Sequence, residues 1–136
     1  MKQTPKQWAT TIFIFAIAIA IVAGAATKPT TISGRIELDP SVANKVTTPT
    51  IVFVIARDEM RKGHPILAKR IDVRQFPVSF TLGPQDAMMA GAIPPRVLLE
   101  ARVDRDGDAA TREPGAPSAS IGGVALGSSN VVLRLR

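Results

Sequence analysis

Asp104-Arg-Asp-Gly-Asp108 sets three carboxylates at alternate positions beside a glycine. Hard cations collect oxygens from positions 1, 3 and 5 of a tight turn, so Asp104, Asp106 and Asp108 are candidate calcium ligands. The bidentate acid of such a loop belongs at position 12, where this chain has Gly115. The same residues also suit a plain hairpin turn, because Asp106-Gly107 is a favoured type I′ pair. Met60, His64, Met88 and Met89 offer thioether and imidazole donors of the kind that hold copper. Their spacing fits no ligand motif, and methionines more often fill gaps in packing. The chain has a single histidine, no cysteine and no tyrosine, and no serine lies in a Gly-x-Ser-x-Gly elbow. A nucleophile, its base and an orienting group are hard to assemble from that inventory. The expectation is a protein that is not an enzyme and needs no cofactor.

The elements that must position these residues read as short strands. Ile32, Gly34, Ile36 and Leu38 alternate with Ser33, Arg35 and Glu37, and Asp39-Pro40 stops the run. Ser41 to Thr50 is a polar connection. Ile51 to Ala56 is continuously apolar and rich in β-branched residues, as suits a central strand. Ile66 to Val73 mixes apolar and charged residues, as on a strand nearer an edge. Alternation returns in Phe76 to Leu82, Val97 to Val103 and Val131 to Leu135, with a seventh strand near Ala109-Ala110 or over Ile121 to Leu126. Asp86 to Gly91 has room for one helical turn, and Glu113 to Ser120 reads as a loop. The spacing of strands and turn signals predicts a single antiparallel β-sandwich of about seven strands, immunoglobulin-like or transthyretin-like.

Ahead of the sandwich, Ile12 to Ala26 is a run of fifteen residues without a charge or a strong hydrogen-bonding side chain, flanked by Lys2, Lys6 and Lys28. It reads as an export signal. The small-residue triplet Ala23-Gly24-Ala25 favours a cleaved signal peptide. Counted from Trp8, the run is also long enough for a retained inner-membrane anchor. Either reading divides the chain into residues 1–26 and an exported domain, 27–136. That domain carries 15 basic and 11 acidic residues, net +4, interspersed and with few aromatics. A nucleic-acid surface would cluster its cations and offer rings for stacking, so no nucleic-acid partner is expected. With no cysteine, the domain stands on its apolar core without disulfides.

Several motifs then fall in a recognisable order: Gly34-x-Ile-x-Leu-x-Pro40, Val52-Phe-Val-x-Ala-Arg57, His64-Pro-x-Leu-Ala68, Phe76-Pro-x-x-Phe-x-Leu82, Asp86-Ala-Met-Met89 and Ala101-Arg-x-Asp-x-Asp-Gly107. Together they resemble the C-terminal periplasmic domain of the CcmI/CycH-type protein of cytochrome c maturation, over Ile32 to Leu135. In that family the domain follows helical tetratricopeptide repeats, whereas here Lys28 leads directly into the first strand. The resemblance implies a non-catalytic β module that engages apocytochrome c or a component of the haem-ligation complex. Such a module recognises a peptide segment by a sheet edge or by an apolar groove rimmed with arginines. Arg57, Arg61, Arg70 and Arg74 are the candidates for that rim. The alternatives are a metal-binding accessory protein, with calcium at the aspartates or copper at the methionines and histidine, and a structural subunit of an envelope complex.

Overall fold

A computed structural model describes residues 29–60, 63–107 and 113–136. The expected signal or anchor at 1–26 and the Ala109-Ala110 position for a seventh strand lie outside the described residues. Among the described residues seven strands form: β1 (Ile32–Leu38), β2 (Thr50–Asp58), β3 (Leu67–Val73), β4 (Val78–Leu82), β5 (Arg96–Asp104), β6 (Ser118–Ala125) and β7 (Val131–Leu135). They make two sheets, one in the order β4-β1-β7 and one in the order β3-β2-β5-β6.

The alternation in sequence becomes the two faces of each sheet. Ile32 and Ile36 of β1, Phe80 and Leu82 of β4, and Leu133 and Leu135 of β7 point inward. They meet Val52, Val54 and Ala56 of β2 and Leu99 and Ala101 of β5, all buried. Full burial of each Ile, Leu or Val contributes about 1.5–3 kcal/mol. β2 is central, as its continuous apolar run implies, and β3 is an edge strand. The seventh strand takes up the Ile121 to Leu126 region, beginning at Ser118 inside the expected loop. Its pattern is faint because a register shift against β5 falls between Val97 and Leu99, opposite Gly122-Gly123.

Four details depart from expectation. The Asp86 to Gly91 turn is instead a single 3₁₀ turn at Pro84–Asp86, held by Gly83 N–H donating to the Asp86 carboxylate at 3.0 Å. The polar connection after β1 contains a 3₁₀ helix, Pro40–Lys45, capped by Asp39 accepting from the Ser41 N–H. β4 starts at Val78 rather than Phe76. Most consequential, the sandwich is not wholly antiparallel, because β7 pairs with β1 in parallel, Gly34 opposite Val131 and Leu38 opposite Leu135.

That parallel pair depends on Gly34. A Cβ there would overlap the Val131 carbonyl and come within 2.8 Å of its nitrogen. Glycine inside a strand often marks such a close approach of two backbones. Gly34→Ala is therefore expected to lower stability by about 1–3 kcal/mol, read as a fall in the melting temperature followed by circular dichroism. An unchanged melting curve would contradict the fit.

Candidate functional site

The aspartates come first. Asp104 ends β5 and is 2% exposed. Its Oδ1 accepts the backbone N–H groups of Asp106 at 3.0 Å and Gly107 at 3.1 Å. Gly107 has a φ of +74°, while Asp106 stays on the ordinary side of φ, so the segment is an Asp-capped turn rather than the type I′ hairpin expected. Ahead of β6, Glu113 lies beside Asp104 and Asp106, their carboxylate oxygens within 4.8 Å of one another. Asp108, the third expected ligand, lies outside the described residues. Three carboxylates could attract a hard cation, but the buried oxygen of Asp104 already serves the turn. Burial first, and then a hydrogen bond between the Asp104 and Asp106 side chains, pushes the Asp104 carboxyl above its ordinary range, against the lowering effect of the backbone N–H groups.

Of the four arginines expected to form a rim, Arg57, Arg70 and Arg74 fall among the described residues. Arg57 is half-buried, its Nε 3.0 Å from Glu100 and its Nη1 donating to the Gly63 carbonyl at 2.6 Å. Arg70 lies in register beside Phe53 on the outer face of the larger sheet, with Arg102 on the other side, and pairs with Asp72 at 3.3 Å. Phe53 is buried although it faces away from the core, a task suited to the aliphatic stems of its arginine neighbours. Arg74 is exposed in the connection after β3, and Arg61 lies outside the described residues. Met60, His64, Met88 and Met89 are all exposed, on two connections at one end of the sandwich.

A site emerges instead from comparing the two open sides of the sandwich. On the side where β3 meets β4, Lys69 occupies an inward-facing position of β3, opposite Val54. Its Nζ donates to the Thr81 carbonyl at 2.7 Å and sits 4.0 Å from Asp86. An inward-pointing lysine of this kind blocks an edge against further pairing.

The β6–β7 side is built differently. Ser118 and Arg136 exchange two backbone hydrogen bonds of 3.1 Å, which among the described residues is the backbone link between β6 and the end of β7. Peptide groups alternate along a strand, so Ser120 on β6, like Ser118, turns its N–H and C=O away from β5. Val132 and Arg134, in phase with Arg136, turn theirs away from β1, while the Leu135 carbonyl accepts from Asp39 on the β1 side. The two lips enclose a cavity of about 300 Å³ lined by Ser118 to Ile121, Arg134 and Arg136. A second concavity of about 490 Å³ flanks β6 on its outer face, between Glu100, Arg102, Ser118 and Ser120 and the Glu113 to Ala116 segment.

The β7 lip is basic. Arg134 and Arg136 are exposed, and Arg35 stands on the adjoining strand. Glu37 bridges Arg35 at 2.5 Å and Arg134 at 3.3 Å, and those hydrogen bonds, Arg35 foremost, hold its carboxyl below the usual range. Of the four chosen, Arg70 lies on the edge strand β3, while Arg134 and Arg136 are edge arginines that the sequence reading passed over. Their signal lay in the closing Leu-Arg-Leu-Arg, an alternation that puts both cations on the outer face of the last strand.

The family model of the cytochrome c-type biogenesis protein H Ig-like domain matches residues 32–135. The chain belongs to this family. The match confirms the resemblance read from the ordered motifs, together with an immunoglobulin-like all-β fold and a role in cytochrome c-type biogenesis. No curated protein and no solved structure matches the chain.

Asp104 gives a pH test. With its folded pKa raised, the folded state binds the proton more tightly than the unfolded state, whose aspartate titrates near 3.9. Stability from this group is complete below that pH and is lost as pH rises through the folded value. Asp104→Asn keeps an acceptor for the turn and is expected to flatten that decline in chemical-denaturation curves. Asp104→Ala removes the acceptor and should cost about 1–3 kcal/mol at neutral pH. Equal behaviour of the two variants would contradict this assignment.

Proposed function

We propose that this chain is a non-catalytic, periplasmic accessory module of cytochrome c-type biogenesis that binds an extended segment of a protein partner along the β6 and β7 edges. The observation that carries the proposal is the asymmetry between the two sides. Lys69 closes one, whereas the other presents outward-turned peptide groups beside two exposed arginines. An extended peptide added to a sheet edge gains main-chain hydrogen bonds, and adjoining hollows select its side chains. The cavities on either flank of β6 supply such hollows.

The partner that fits is an unfolded or partly folded chain with acidic side chains near an extended stretch. Within cytochrome c-type biogenesis, apocytochrome c or a component of the haem-ligation complex is the partner class in view. The apolar run Ile12 to Ala26 supports export, which brings the module to the compartment where such a chain emerges.

Proline lacks the N–H, and at an edge position facing outward it leaves the inner ladder intact. Ser120→Pro, and separately Arg134→Glu with Arg136→Glu, are expected to weaken capture of apocytochrome c or the complex component at least about tenfold, since each lost charge-assisted or edge hydrogen bond contributes roughly 1–3 kcal/mol. Lys69→Ala should leave capture unchanged. Affinity measured by biolayer interferometry with purified apocytochrome c checks this, with circular dichroism to establish that each variant is folded. Undiminished binding by folded Ser120→Pro and by the double arginine variant would refute the site.

A further inference from the structure

Among the described residues, the large apolar side chains standing exposed are Met60, Met88 and Met89, at 91%, 58% and 61%. All three lie on connections at the same end of the sandwich. Met60 follows β2, and the Met88 N–H donates to the Ile66 carbonyl just before β3. The chain also joins the domain at this end. Thr31 packs against the Gly83 position at the start of the β4–β5 connection, and Pro29 packs against Gly127 in the β6–β7 connection. The Gly127 N–H donates to the Thr31 carbonyl at 2.9 Å.

The described chain is packed from Pro29 onward, and in sequence two residues, Thr27 and Lys28, lie between it and the apolar run that ends at Ala26. Three Cα steps reach at most about 11 Å when fully extended. The headgroup layer on one side of a bilayer is about 5–8 Å thick, the difference between the full bilayer and its hydrocarbon core shared over two faces. With the run in a bilayer, even a fully extended tether holds this end within about 3–6 Å of the outer headgroup surface, and a less extended path brings it into the headgroup layer. Exposed apolar side chains at this end are then within reach of lipid.

We infer that the end of the sandwich bearing Met60, Met88 and Met89 lies in the headgroup layer of the membrane, with the three methionines against lipid. The inference rests on the exported reading above and adds that the apolar run stays attached and inserted. β2 is nine residues long, so the opposite end, with Gln75, stands about 30 Å farther out.

The chain contains no cysteine, so single labelling sites are clean. Met60→Cys, Met88→Cys, Met89→Cys and the control Gln75→Cys are made in the full chain. Each is labelled with an environment-sensitive fluorophore and reconstituted into vesicles of phosphatidylethanolamine and phosphatidylglycerol carrying nitroxide-labelled headgroups. Carbonate extraction and intact mass report separately whether the apolar run is retained and inserted. The expected result is carbonate-resistant, full-length protein with several-fold stronger quenching at the three methionine positions than at Gln75. Retained protein with equal quenching at all four positions overturns the orientation and leaves the exported reading standing. Loss of the run, or carbonate-soluble protein, overturns the inference at its premise, and so does shielding of the methionine labels that appears only when apocytochrome c is added.

Discussion

The close approach of Val131 to Gly34 is the constraint on which the architecture turns. A side chain at position 34 would occupy the space of the Val131 carbonyl, and without that space the last strand could not lie parallel to the first. With β7 docked, β1 becomes central to its own sheet, between β4 and β7. Leu133 and Leu135 then cover the core from the far side, and Arg134 and Arg136 are carried to the sheet edge. Core closure and the basic edge thus depend on one missing methyl group.

The two sides of a sandwich present the same problem, since each exposes strand edges able to pair with another chain. Here they receive different solutions. At β3 and β4, Lys69 turns into the gap and binds the carbonyl that a further strand would need. At β6 and β7, the Ser118–Arg136 pair ties one end, the connection 126–130 joins the other, and the stretch between retains its outward peptide groups. On the proposed reading this difference has a purpose, because recognition of unfolded chain by main-chain pairing tolerates varied sequence. On the same reading the charge pattern adds selectivity, with Glu37 neutralising part of the Arg35 and Arg134 field and Arg136 standing beyond it.

Much of the fold was legible because period-2 alternation survives wherever one face of a strand is wet, as in Ile32–Leu38 and Val131–Leu135. The central place of β2 followed from its unbroken apolar run. What alternation reports is the face of each residue, not its neighbour, so parallel pairing between the two ends of the domain left no trace except Gly34. β6 was faint because Gly122-Gly123 interrupts it at the register shift. The site was less legible. Charge alone nominated Arg57 and Arg70, but Glu100 and Asp72 already engage them. Asp104 was recognised as a turn residue or ligand, yet its burial and the nearness of Glu113 are tertiary features that no local spacing encodes.

The account stands or falls on where a partner chain lies. Amide hydrogen exchange of the module, followed residue by residue with and without apocytochrome c, reads this directly. The account expects new protection concentrated at Ser120 and Gly122 on β6 and at Val132 and Arg134 on β7, with the β3–β4 side unchanged. Protection confined to β3 and β4, or to the turn after Asp104, would contradict it.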